Sequence, residues 1–159
     1  MITAAEVRAI GKNPDTAVKL PDDYGYGPDA YLGAIEVFHH IHCLDKLRKE
    51  ISYKHYWEKG EGPAPGTAMH EAHTSHCIDV LAQALRCTGS VDIVTFNWVE
   101  GRDMMFPDFE NNKVCRDFDT LLGWVDENGV KMGEDNLRAL KPPAGALRIA
   151  NPFDKGHEN

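Results

Sequence analysis

The pattern His-x-x-His-Cys occurs twice in this 159-residue chain, as His39-His40-Ile41-His42-Cys43 and again as His73-Thr74-Ser75-His76-Cys77. Five of the eight histidines fall in these two stretches, and His70 precedes the second by one helical turn. A helix carries residues i and i+3 on one face, so each copy points two imidazoles the same way. Two such helices packed together bring four imidazoles to one place. Neutral imidazole is the commonest biological metal ligand, suited to zinc, copper, iron and nickel. The doubled motif therefore predicts both a metal site and the pair of helices that builds it.

The surrounding sequence supports those helices. Tyr31 to about Tyr56 reads as the first, with Asp29 as its N-cap and apolar Ala34, Val37, Phe38, Ile41 and Leu44 at helical spacing. Projected at 100° per residue, His39 and His42 lie at the edge of that apolar band and are expected to face inward, with His40 on the flank. Gly60 to Gly66 is a Gly/Pro-rich loop. Thr67 can then cap a second helix running to about Arg86. Its expected buried arc holds His70, His73, His76, Cys77, Val80, Leu81 and Ala84, with Asp79 at the rim. The fold class expected is mainly α: two long antiparallel helices carrying the His-x-x-His-Cys motifs, shorter helices, and one or two short extended segments.

Three regions organise the chain. Residues 1–30 are punctuated by Asn13-Pro14-Asp15, Pro21-Asp22-Asp23 and Gly25-Tyr26-Gly27-Pro28, and read as irregular, with room for a short helix over Ala4 to Ile10. Residues 31–150 are expected to form a single metal-binding domain. Within it, 91–98 is rich in β-branched and aromatic residues and reads as extended, 102–111 as loop, Cys115 to Asp126 as helix, and Glu134 to Leu140 as a short helix before Pro142-Pro143. Residues 151–159 are polar and expected to be a mobile tail.

Composition removes several function classes. The formal charge of −8 without any Lys/Arg run argues against nucleic acid as a partner. No stretch approaches the roughly 20 apolar residues of a membrane span. Met1 to Glu6 lacks the basic and apolar regions of a signal peptide, which leaves the chain reading as soluble. Cys43, Cys77, Cys87 and Cys115 permit two disulfides, free thiols or metal thiolates, so compartment stays open.

The primary ligand set is His39, His42, His73 and His76, arranged as one four-imidazole site or as two ions with two imidazoles each. His70, Cys43 and Cys77 are additional candidates. Glu36, three residues before His39, and Asp79, three after His76, could orient ligands from one turn away. Cys43 and Cys77 can be thiolate ligands, a disulfide between the helices, or small buried apolar groups. A helical hairpin patterned to fold without metal favours a working site with open coordination positions over a structural zinc clip.

These residues resemble a known family. Tyr31 to Leu44 with Leu47-Arg48-Lys49 is similar to the first signature of the fungal UstYa-like oxidases, and His73 to Leu81 with Gln83-Ala84-Leu85 and Cys87 to the second. Pro107-Asp108-Phe109-Glu110 and Cys115-Arg116-Asp117-Phe118-Asp119 resemble the family's C-terminal pattern, so the likeness spans about residues 24–126. It implies oxidative tailoring of a fungal secondary metabolite, often a peptide, by cyclisation, dehydrogenation, hydroxylation or halogenation. It also implies copper as cofactor, while the chemistry of a His-rich site leaves iron and zinc as alternatives; dioxygen and a peptide or small-molecule substrate are the expected partners, with a related family member as a candidate oligomer partner. By the same resemblance His39, His42, His73 and His76 are the ligands, with Cys43 and Cys77 completing the signatures. Members typically carry an N-terminal anchor, and none is read in these residues; the resemblance then implies the secretory lumen for a trimmed chain and the cytoplasm otherwise. In an oxidising lumen, Cys43, Cys77, Cys87 and Cys115 are expected to pair. The competing function is a metal-stabilised, non-catalytic scaffold that assists a biosynthetic enzyme.

Overall fold

The computed structural model describes residues 1–57, 66–110 and 112–150. The Gly/Pro-rich loop and the polar tail expected from sequence lie almost wholly or wholly outside these residues. The described residues are mostly helical, with one two-stranded sheet. In chain order come α1 (Ala4–Ala9), a 3-10 turn (Asp22–Tyr24), α2 (Glu36–Ile51), α3 (Tyr53–Trp57), α4 (Ala68–Thr88), β1 (Thr95–Asn97), β2 (Phe106–Asp108), α5 (Phe118–Asn128) and α6 (Glu134–Ala139).

The N-terminal segment is more ordered than its breakers suggested. Thr3 and Glu6 form a reciprocal capping box on α1. Ile2 exchanges two backbone hydrogen bonds with Tyr31, and Leu20 donates to Ala30. Val7, Pro14, Leu20 and Ala30 are buried, which gives this segment most of the buried apolar side chains among the described residues. Asp29, expected to cap the first long helix, instead accepts from the Ala4 backbone N–H at 3.1 Å. Tyr31 is held in backbone bridges and Ile35 is extended, so α2 begins at Glu36 rather than Tyr31.

The other boundaries follow local chemistry. The Thr67 side chain accepts from His70 N–H and starts α4; Gly89, in the left-handed region at φ 48°, ends it. The Asp117 side chain accepts from Thr120 N–H and starts α5. β2 falls in the segment expected to be loop. Pro107 lacks an N–H, but a strand in a two-stranded ribbon has an open side where none is needed.

Between α2 and α4 the buried residues are Cys43 and Lys46 on the first helix, His70 and Cys77 on the second. This matches the apolar band read from sequence only in part: Val37 and Phe38 are half-buried. Ile41 and Leu44 are exposed, because Ile41 projects to nearly the opposite side of α2 from Cys43.

Candidate metal centre

The helix pair brings the two motifs face to face. The rings of His39 and His76 lie 5.6 Å apart, centroid to centroid, and those of His42 and His73 lie 5.9 Å apart. Along α2, His39 and His42 are 6.3 Å apart with nearly parallel planes. Partner numbers rise along α2 as they fall along α4, which is an antiparallel register. All four sequence-predicted ligands therefore converge on one seam.

The expected inward orientation of His39 and His42 needs correction. Both are exposed, while His73 and His76 are half-buried. The quartet lines the open lip of the interface, with the thiols of Cys43 and Cys77 forming its fully buried floor. The buried stripe of α2 runs through Cys43 and Lys46; residue 39 lies on that stripe one turn nearer the N-terminus of the helix, where its ring is open to solvent, and residue 42 lies at its margin. Nε2 of His39 stands 3.7 Å from the Cys43 sulfur.

Electrostatics suit ligation. Burial, then the charge of Lys46 and the neighbouring His42, His76 and His39, hold His73 below the usual imidazole value of 6.5. Its unprotonated form, the one with a free lone pair, is favoured at neutral pH. Burial and the hydrogen bond with Cys43 push the Cys77 thiol up to about 12. In this structure Cys77 is thus a neutral, small, buried group rather than a thiolate.

All four cysteines are free thiols: Cys43 and Cys77 buried, Cys87 and Cys115 exposed. The disulfides expected of an oxidising compartment are not formed here. The remaining candidates are distributed elsewhere. His70 is engaged by Glu50, with Nε2 donating to the carboxylate at 3.0 Å. Glu36 is exposed and lies at ion-pair distance, 3.7 Å, from His40 rather than from a ligand. Asp79 is exposed.

Sequence reasoning passed over Lys46 and Glu50. Lys46 is buried and paired with Glu50, which also holds His70. The signal was present in the spacing, since 39, 43, 46 and 50 recur at helical intervals on one face. Burial works to raise the Glu50 carboxyl, but Lys46 and His70 outweigh it and the net direction is down.

The donor set and its placement fit a metal ion. Four imidazoles sharing one ion at metal–nitrogen distances of ~2.0 Å would have centroids roughly 5 Å apart. The cross-helix pairs, at 5.6 and 5.9 Å, are within about an ångström of that. No three His, Cys, Asp or Glu side chains among the described residues are already drawn together closely enough to hold an ion. The fit is one of donors and facing rings, short of a closed cage.

A separate cavity of about 1430 Å³ opens at the N-terminal end of α2, its walls including Ile2, Val7, Ile35, Phe38, Val125 and Met132. None of the four imidazoles lines it, but Phe38 is adjacent to His39 in the chain. The Phe38 ring also meets Phe118 at 5.8 Å. Tyr56 and Trp98 do not line the cavity: Tyr56 accepts from Arg48 Nη1 at 2.6 Å, and Trp98 is exposed.

Residues 1–128 match the family described as mycotoxin biosynthesis protein UstYa. The chain is 38% identical over 139 residues to the UstYa family oxidase aprY of Aspergillus flavus, covering 84% of this chain and 42% of that protein. It is 30% identical over 139 residues to the UstYa family oxidase phomYc of Diaporthe leptostromiformis, covering 82% and 52%. It is also 30% identical over 126 residues to the oxidase ustYa of Aspergillus flavus, covering 77% and 54%. The chain thus spans about half the length of these relatives. No solved structure matches it. No described helix is long and apolar enough to cross a membrane.

Proposed function

This chain belongs to the UstYa family of mycotoxin biosynthesis proteins, and on that premise we propose that it is a copper-dependent oxidase of fungal secondary metabolism. The cross-helix facing of His39 with His76 and of His42 with His73 carries the reading. The oxidase names of its relatives support the reaction class. His39, His42, His73 and His76 would hold the metal. Copper bound there would supply one-electron chemistry with dioxygen, directed at a C–H or phenolic O–H bond of a peptide or small molecule.

The chain's own contribution is placement. His39 and His42, exposed at the lip, leave the site open to a substrate from solvent. Cys43 and Cys77 close its inner side and exclude water there. The depressed basicity of His73 keeps that imidazole unprotonated and ready to ligate. The apolar cavity beside Phe38 offers a surface for the non-reacting part of an apolar substrate.

Metal quantification on purified chain tests this directly. Apo-protein challenged with equimolar copper, zinc and iron is expected to retain one or two copper ions per chain, reducible by ascorbate and reoxidised by oxygen. Retention of zinc in preference to copper, with no reaction toward ascorbate, would sink the oxidase reading and favour a metal-stabilised scaffold.

A further inference from the structure

We infer that Glu50, held between Lys46 and His70, is a positioning residue that fixes the register of α2 against α4 and so aligns the two imidazole pairs. The Lys46 and Glu50 side chains form an ion pair and retain only 6% and 18% exposure; His70 Nε2 donates to Glu50 from the other helix at 3.0 Å with 11% exposure. The inference rests on the metal reading for its purpose, though not for its geometry.

The argument starts from what apolar packing can specify. Cys43 and Cys77 are the buried apolar residues of this interface, and they are small. Val37, Leu47, Val80, Leu81 and Ala84 are only half-buried, and Ile41, Leu44, Met69, Ile78 and Leu85 are exposed. Side chains that are small or only partly covered interdigitate shallowly, so sliding one helix by a turn exchanges one loose contact set for another at little cost. Imidazole pairing cannot tolerate such a slide. One turn is about 5.4 Å, close to the whole separation of each ring pair.

The charged network supplies what the apolar contacts lack. In the observed register the Glu50 carboxylate meets a cation from its own helix and a donor from the other. A one-turn slip would carry His70 out of its reach and leave buried polar groups without partners, at a cost of several-fold more than a displaced methyl contact. Buried polar groups that fix helix register at some expense in stability are the best-attested use of such networks. Position agrees with role. Glu50 lies in the last turn of α2 and His70 in the first turn of α4, so the network pins one end of the helix pair.

The test uses the full chain without metal, labelled for NMR, and reads ring-to-ring cross-peaks for His39–His76 and His42–His73. The parent is expected to show one set. Glu50→Ala is expected to lose these cross-peaks or split the histidine signals into several sets while helical circular dichroism persists. Its copper affinity should fall by ~10–100-fold, the range for groups that orient ligands. If Glu50→Ala instead keeps a single parent-like set of cross-peaks, the inference is overturned. Should Glu50→Ala unfold, the combined Lys46→Met, Glu50→Leu and His70→Leu chain, which buries no charge, carries the test. Stable helices with several histidine sets support the positioning role, whereas stable helices with the parent set overturn it. Loss of cross-peaks in Glu50→Ala alongside a parent that binds no copper would uphold the register lock and refute the copper reading.

Discussion

His42→Ala and His76→Ala, each alone, are expected to strip the chain of stoichiometric copper and reduce oxidative turnover by more than about 100-fold, with its helices intact. The magnitude follows from comparison: groups that merely orient a ligand cost ~10–100-fold when removed, and a ligand itself should exceed that. Intact folding follows from exposure. His42 is exposed at the lip of the seam and His76 only half-buried, and truncations at such sites usually change stability by about 0.5 kcal/mol or little more. His40→Ala is the control, because its ring lies toward Glu36, outside the cross-helix pairs. Copper content by elemental analysis and helicity by circular dichroism check the set. Full copper and full turnover in His42→Ala or His76→Ala would show that these imidazoles are not ligands. Equal loss in His40→Ala would show that the effect is not one of ligation.

How much of this could be read from sequence depends on the residue. The doubled motif placed His39, His42, His73 and His76 on two helices, and the buried arc expected of α4 is the arc the structure buries or half-buries. That helix has one dominant face and its histidines fall on it. The first helix misled because two of its large apolar residues, Ile41 and Leu44, are not on its contact face. Ile41 and Leu44 drew the projected core toward solvent, and the true stripe runs through Cys43, Lys46 and Glu50. A lysine on an interface reads as surface until its counter-charge is seen, and here the third member, His70, comes from 20 residues beyond Glu50. The same distance effect displaced the start of α2. Asp29 has the chemistry of a cap, but backbone pairing of Tyr31 with Ile2 claimed the segment first. β2 was missed because Pro107 signals loop wherever pairing partners are unknown. Helical periodicity is local and legible; which of two faces is covered depends on contacts made far along the chain.

Alkylation of the reduced, metal-free chain is expected to separate its cysteines into a fast exposed pair and a slow buried pair. Cys87 and Cys115 are exposed and should react within the first minutes with iodoacetamide at neutral pH. Cys43 and Cys77 have no exposed surface, and the Cys77 thiol is pushed up to about 12. Against an ordinary thiol near 8.5, that alone lowers the reactive thiolate fraction by roughly 10³-fold. Modification of the buried pair then has to wait for α2 to open from α4, so its rate reports the stability of that local contact. Mass spectrometry of peptides at successive times resolves all four sites. Rapid labelling of Cys43 or Cys77 would mean that the two helices do not pack as described, and the imidazole pairing would fall with them. Copper sharpens the experiment, because an ion bound across the seam must be released before the seam opens. At a free concentration 100 times its dissociation constant, binding adds about 2.7 kcal/mol to the closed state, equivalent to roughly 100-fold slower labelling of Cys43 and Cys77. Ligands confined to one helix would leave that rate unchanged. The slow phase thus distinguishes an ion held between α2 and α4 from one held by either motif alone, and it does so without a substrate.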